Sequence, residues 1–434
     1  MEILYDPALW TVVIFISLLA IRVPIAISIG IASLAVAWQC SLGLPMTSYN
    51  FFANIAKFPL LAIPYFILAG NIMSRAGIAT RIINLIRLVF GHMTGGLAIA
   101  TVLVAAFWGA VSGSPAATVA ALGVILIPGM VDSGYDKPFA TAVVSVSSGL
   151  SSIIPPSIAF IMYGVITGVS IGAIFAAGFV PGFIIALCLI LSVYFTSRKK
   201  GYVGDIKAEK TGEHEIRAAL KEAFWALLTP VIILGGIYGG IFTPTEAAAV
   251  ACFYGLFVGV VVYHSLTIKD IYEILSETVT GSATVMFISA CAGLYSWVST
   301  SVGLVEKTSA LLLGISGNEY VTLFMIYVIL FLGGMLLDAV SLMYVFMPLI
   351  MPVMSTFGWD PVWFGVMVAI MIAIGCVTPP VAVSLFVGCR ISGLTIEELT
   401  PPVLPMLFAM LLGLVVLSVF PGLSLFLPKL MGLM

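Results

Sequence analysis

Residues 109–164 recur without a gap at 333–388, a shift of 224 positions. Gly109 falls on Gly333, Pro128 on Pro352, Gly134 on Gly358 and Asp136 on Asp360. Pro155 and Pro156 fall on Pro379 and Pro380, and Gly164 falls on Gly388. The shared letters are those that govern backbone shape. The chain therefore reads as an internal duplication, which decides architecture before any local pattern does. The chain is also 62% apolar and 8% charged, against about 25% charged residues in a soluble domain. That is too little polar side chain to cover a water-facing surface, so the class is an all-α polytopic membrane protein. In a membrane carrier, Gly/Pro-interrupted apolar segments in matching positions point to the substrate site.

A helix needs about 20 apolar residues to cross a bilayer. That rule places spans near 7–21, 24–40, 54–73, 138–168, 172–196, 223–241, 246–263, 279–298, 361–389 and 403–426. The stretches 95–130 and 320–356 are too long for one crossing. Each is interrupted at its middle, by Ser112-Gly113-Ser114-Pro115 and by Gly333-Gly334 through Asp338, and reads as a re-entrant hairpin. The first copy then occupies 1–196 and the second 223–434. Each holds five crossings, one hairpin and one discontinuous helix, at 138–168 and 361–389. Five is odd, so the copies are expected in opposite orientations, as an inverted repeat. Weaker echoes pair Asn54–Gly70 with Thr278–Gly293, and the span after Pro24 with the span after Pro244.

With the N-terminus outside, 14 of the 17 Lys and Arg fall on the cytoplasmic side and Lys57, Lys307 and Lys429 fall outside. The positive-inside rule demands that asymmetry. The first apolar run follows Met1–Asp6 without a basic lead, so it reads as a span and not a cleaved signal. Residues 197–222, with Arg198-Lys199-Lys200, read as a basic cytoplasmic linker, with contact to anionic lipid left open. Residues 76–93 read either as an amphipathic helix on the cytoplasmic surface or as a polar connector. No nucleic-acid partner is expected.

Non-helical backbone survives at membrane depth only when it is buried in protein or lines a wet cavity. Four such interruptions are expected: the two hairpin tips and the breaks at Ser151–Ser157 and Gly375–Pro380. A Pro pair removes N–H donors and frees nearby carbonyls, which with hydroxyls suit a hard cation. The helix that starts after each break points N–H groups and partial positive charge into the same space, which suits an anion. Candidate cation ligands are Ser112, Gly113, Ser114, Ser152 and Pro155 in the first copy, and Gly333, Gly334, Asp338, Gly375 and Thr378 in the second. Thr118, Ser148, Ser151 and Ser341 lie close by. Candidate substrate contacts are Ser114, Thr118, Ser157, Thr378 and Arg390.

Asp338 is the sharpest of these, because a carboxylate at membrane depth is costly and marks function. It also suits a helix cap near Ser341. Each Ser or Thr has a plain alternative role in close helix packing. Arg390 either meets a carboxylate or snorkels to the headgroups. Asp136 and Asp360 read as helix-start caps, and Glu246 as a first-turn acid without a full Thr-x-x-Glu box. Six cysteines sit singly in apolar runs, as small buried hydrophobes. His92, His214 and His264 lie at interfaces or in the linker, so no zinc site or Ser–His dyad at membrane depth is read. Tyr135-Asp136 shares letters with an aspartyl protease motif but sits in a surface turn. A channel would line a pore with rings of charge or carbonyls, and one buried Asp in a duplicated unit suits alternating access better.

The run from Gly113-Ser114 through Gly123 and Pro128, then Gly134-Tyr135-Asp136, Ile154–Ser157 and Tyr163-Gly164, resembles the large membrane subunit of tripartite ATP-independent periplasmic (TRAP) transporters. So do Phe242–Ala247 and the series Asp338, Pro348, Pro352, Asp360-Pro361, Phe364-Gly365 and Thr378-Pro379-Pro380. Pro115 and Ser151-Ser152 depart from that family's pattern at the first tip and break. The resemblance covers nearly the whole chain. It implies a small four-helix membrane subunit, a periplasmic binding protein that delivers an organic acid (a dicarboxylate or sugar acid), and location in a bacterial inner membrane. It also implies coupling to sodium at two sites, an elevator movement, and an anion held between the hairpin tips. The rival is a self-sufficient sodium/carboxylate symporter on the same plan.

Overall fold

The computed structural model describes residues 6–202 and 213–434, which contain twenty α-helices and no strand. Helices α1 (Pro7–Ala20), α2 (Ile25–Gln39), α3 (Leu44–Ala53), α4 (Ala62–Arg75) and α5 (Ile78–Phe90) open the chain. Helices α6 (Gly96–Ser112) and α7 (Pro115–Asp132) turn back on each other at Gly113-Ser114. Helix α8 (Lys137–Ser147) runs through a 3₁₀ turn, Ser148–Ser152, and an irregular stretch into α9 (Ile158–Thr167), and α10 (Ile171–Lys200) follows.

The second series begins with α11 (Glu213–Tyr238), α12 (Pro244–Phe257), α13 (Ile268–Ser301) and α14 (Leu304–Ile315). Helices α15 (Glu319–Leu336) and α16 (Ala339–Phe357) turn at Leu337-Asp338. Helix α17 (Pro361–Gly375) breaks before α18 (Val383–Ser392), and α19 (Ile396–Val419) and α20 (Gly422–Leu430) close the chain. The starts of α7 and α16, and those of α8 and α17, are each 224 residues apart. Nine of the described helices are long and apolar enough to cross a membrane.

Cap chemistry explains where the apolar windows misjudge the ends. Helix α13 is 34 residues long, not the 20 of the window 279–298. It starts at a capping box in which Thr267 and Asp270 satisfy each other's backbone donors. Helix α12 starts the same way with Thr243 and Glu246, so Glu246 completes a full box and is more than a first-turn acid. The expected span 54–73 corresponds to Phe58–Arg75: the chain leaves α3 at Ala53 and enters this span through a 3₁₀ turn over Phe58–Leu61, containing Pro59, that runs directly into α4 at Ala62. Asp360 caps α17, accepting from Val362 N (2.8 Å) and Trp363 N (3.2 Å). Asp136 does not cap α8. Its carboxylate accepts from Lys200 Nζ at 2.8 Å, which holds it below the usual carboxylate pKa range. The linker 197–222 is helical at both ends, and residues 203–212 of it lie outside the described residues. Residues 78–90 form a helix that buries Ile78, Ile82 and Ile83, while Arg81 lies 3.6 Å from the centre of the Tyr263 ring.

The apolar helices α8 and α17 are buried all round, from Phe139 to Ser147 and from Val362 to Gly375. A helix apolar on every face belongs inside a bundle. Around this core the two halves exchange partners. Helix α7 packs on α18 of the second half, and α16 packs on α9 of the first. Helices α4 and α13 pack together as a wall beside this core.

Candidate functional site

Glycine brings each hairpin tip against its break. A Cβ on Gly109 would lie 2.9 Å from Ser151 Cα, so the first hairpin and the first break meet backbone to backbone. Gly113 turns the tip with φ of +62°, a conformation that disfavours a side chain, and its carbonyl accepts from Ile158 N at 3.3 Å. The second half repeats the device. A Cβ on Gly375 would lie 2.6 Å from Gly334 Cα, and Ala382 N donates to Met335 O at 3.3 Å. Ile158 and Ala382 are themselves 224 positions apart.

Both assemblies open on one cavity of about 460 Å³. The first tip supplies Ser112, Gly113 and Ser114, and the second supplies Asp338. The breaks supply Ser152 and Cys376, followed by Ile158 and Ser384 in the first turns of α9 and α18. The wall supplies Gly70, Asn71 and Ser74 from α4, and Glu277 and Gly281 from α13. Residues 112–114 and Asp338, which stands 224 positions after Ser114, thus share one space.

The expected ligands divide by what their atoms already do. Thr118 Oγ1 is hydrogen-bonded to both Ser112 Oγ (2.9 Å) and Ser151 Oγ (2.7 Å), a closed chain of hydroxyls behind the first tip. Ser148 Oγ donates to Ser145 O and Ser157 Oγ to Ser152 O, at 2.6 and 2.7 Å. Thr378 Oγ1 donates to Ile374 O at 2.6 Å. These hydroxyls serve the frame in this conformation. Ser114 and Ser152 line the cavity, and neither side chain is committed: Ser114 makes no capping bond and Ser152 Oγ has no hydrogen-bond partner.

Asp338 both caps and faces the cavity. Its carboxylate accepts from Val340 N at 3.1 Å and from Ser341 Oγ, while the residue lines the shared space. Gly333, Gly334 and Gly375 are buried behind it, with Gly333 against the Phe346 ring. Pro155 and Gly375 do not line the cavity. Arg390 lies exposed in the last turn of α18, also off the wall.

Sequence reading missed the wall. Asn71 Nδ2 donates to Thr278 Oγ1 at 3.0 Å and ties α4 to α13. One turn along, Arg75 bonds Glu273 and Glu277, each at 2.6 Å. The signal was present as single polar letters in the apolar run Ile67–Met73 and beside it. Trp108 and Ser384 were also missed, because an aromatic and a lone Ser in apolar helices read as packing.

The geometry offers two uncommitted hydroxyls, Ser114 and Ser152, and the Asp338 carboxylate beside the first turns of α7, α9, α16 and α18. Among the described residues no group of three His, Cys, Asp or Glu side chains is placed to hold a metal ion. Residues 12–423 match the family described as Tripartite ATP-independent periplasmic transporter, DctM component. The chain belongs to this family. It is 37% identical to the sialic acid TRAP transporter large permease SiaM of Vibrio cholerae, over 96% of this chain and 97% of that one. It is 35% identical to the C4-dicarboxylate large permease DctM of Rhodobacter capsulatus, over 97% and 98%. Against the isethionate TRAP permease DctMQ of Oleidesulfovibrio alaskensis the identity is 39% over 95% of this chain, which spans 65% of that longer protein. In three dimensions it is similar to the YdaH transporter of Alcanivorax borkumensis, with a TM-score of 0.60, 19% identity, and 88% and 89% of the two chains covered. DctM-component proteins are TRAP transporter permeases, so the chain is a multi-pass membrane transport protein and not an enzyme.

Proposed function

We propose that this chain carries an organic acid into the cell, driven by sodium, as the large membrane subunit of a TRAP transporter in a bacterial inner membrane. The carrying observation is that both hairpin turns and both helix breaks open on one cavity. One cation is assigned to Ser112, Gly113, Ser114, Ser152 and the Pro155 region. The second is assigned to the Gly333–Gly334 and Gly375–Thr378 backbone with Asp338. The anion lies between the tips, against Ser114 and the starts of α9 and α18. The substrate class is that of the relatives' names, a sialic acid, a C4-dicarboxylate or a small sulfonate.

In this reading the halves 1–196 and 223–434 are inverted copies joined by 197–222. The hairpins, α8–α9 and α17–α18 move as an elevator past the wall of α4 and α13. A small four-helix membrane subunit and a periplasmic binding protein complete the system. The test is uptake by vesicles that contain the chain with both partners, under sodium or proton gradients. Uptake that needs sodium and the binding protein is expected. Uptake by the chain alone would favour a self-sufficient symporter, and uptake driven by protons alone would remove sodium from the proposal.

A further inference from the structure

Three residues that line the cavity each carry a buried polar atom with no hydrogen-bond partner among the described residues: Trp108 Nε1, Ser152 Oγ and Ser384 Oγ. All three residues are buried, at 1%, 1% and 0% exposure. A buried polar atom without a partner is costly, and each instance calls for a cause. Packing symmetry does not supply one. The positions 224 residues away hold Leu332, Cys376 and Phe160, so the duplicated frame is built without these polar groups. The three residues come from separate elements, α6, the first break and α18, yet all line one space.

We propose that Trp108, supported by Ser384, donates a hydrogen bond to an acceptor oxygen of the transported anion. This rests on the organic-anion reading and adds to it the residues that recognise the anion. An indole N–H can only donate, so Trp108 requires an acceptor opposite it. A carboxylate or sulfonate oxygen is that acceptor. The cavity is also bordered by the first turns of α7, α9, α16 and α18, through residues such as Ala116, Ala159, Ala339 and Val383, and four helix starts favour negative charge. Trp108 stands one turn before Ser112, about 6 Å further along α6 from the tip. It therefore addresses the end of the substrate remote from the hairpin turn. The substrates that fit carry acceptor oxygens at both ends, as a dicarboxylate, a sugar acid or a hydroxysulfonate does.

The test uses the complete assembly in vesicles, with succinate, a sialic acid and isethionate as probes, each also added to detergent-purified assembly while unfolding is followed by temperature. Trp108→Phe keeps the ring and removes the N–H. For whichever probe wild type takes up, uptake at low substrate should fall about tenfold or more, the loss of one hydrogen bond to a charged group. The rate at saturating substrate, the sodium half-saturation measured there, and the unfolding temperature without substrate should stay near wild type. The rise in unfolding temperature that the probe causes should shrink. Ser384→Ala should move the same quantities in the same direction by a smaller factor. If wild type transports and Trp108→Phe matches it in both substrate readouts, the assignment is overturned while the transport reading stands. A loss that follows only the substrate-free unfolding temperature makes Trp108 a packing residue and overturns it too. If wild type neither transports nor is stabilised by any of the three anions, both fall.

Discussion

Asp338→Asn separates the cap that this carboxylate forms from the cation ligation proposed for it. As a cap, Asp338 accepts from Val340 N at 3.1 Å and from Ser341 Oγ. Asn caps helices about as well as Asp, and its amide oxygen can take the same donors. The variant should assemble with its partners and unfold near the wild-type temperature. As a cation ligand, the same group supplies the formal charge of the second tip, and Asn lacks it. At about 4 Å and an effective dielectric near 20, an ion and a carboxylate attract by roughly 4 kcal/mol. Part of that is offset by desolvation, since taking charges out of water costs several kcal/mol per ion. A net loss of about 2–3 kcal/mol weakens sodium binding roughly 30- to 150-fold.

The assay is initial uptake in reconstituted vesicles across a sodium series at fixed substrate, with the unfolding temperature measured alongside. Asp338→Ala is the second arm. It removes cap and charge together, so it should reproduce the sodium defect and also lose about 1 kcal/mol of stability, the usual cost of deleting a cap. If Asp338→Asn shows wild-type sodium dependence while Asp338→Ala is only less stable, the carboxylate is a cap and nothing more, and the second cation site must be sought elsewhere.

Gly375→Ala should destabilise by about 1–3 kcal/mol, because its Cβ would meet Gly334 Cα at 2.6 Å and Gly334 C at 2.8 Å, backbone that cannot rotate away; an unchanged thermal midpoint would contradict the close approach. Thr118→Val should leave Ser112 Oγ and Ser151 Oγ without their shared partner and lower stability by about 1–3 kcal/mol, with little change in substrate half-saturation; a change confined to the half-saturation would return Thr118 to the substrate. The Lys200 hydrogen bond lowers the Asp136 pKa from its ordinary 3.8, so this carboxylate adds stability above that value and loses it as pH falls through the lowered one. The difference in thermal midpoint between wild type and Lys200→Met should accordingly be largest near neutrality and shrink below about pH 4; a constant difference would mean that the pair contributes through packing alone.

What could be read in the letters was the backbone. Gly and Pro report where a helix must stop, so the turns at Gly113-Ser114 and Leu337-Asp338 and the breaks after Ser147 and Gly375 lie where their spacing places them. Side-chain commitments were not legible in the same way. Thr118, Ser157 and Thr378 look like free ligands in sequence, and only folding reveals that each hydroxyl is bonded within its own half. Asp136 and Asp360 are equivalent in the repeat but act differently, because Lys200 reaches Asp136 while its counterpart 224 positions on is Ser424. Without a cation to pair with, Asp360 turns to the helix start. The wall was the largest omission. Asn71, Ser74 and Glu277 belong to long helices with no break, and nothing in their spacing sets them apart from ordinary interhelical polar contacts.

On the function proposed above, the duplication lets one frame hold unlike ions. Asp338 at the second tip stands 224 positions after Ser114 at the first, and both occupy the residue just before a helix. One tip thus presents a carboxylate and the other an uncommitted hydroxyl, on backbones of matching design. Two identical acidic tips would repel an organic anion between them, and two neutral ones would offer no formal charge to a cation. In that proposal a single carboxylate gives the cations one strong partner and leaves the opposite tip, with Ser114 and the helix start behind it, favourable to negative charge. In the same proposal the frame sets where the ions sit, and the positions at which the copies differ set what they are. Sodium dependence should accordingly be more sensitive to substitution at Asp338 than at Ser114, and substrate half-saturation should show the reverse order. Equal sensitivity of both quantities at both tips would mean that the two sites are not distinguished by this charge.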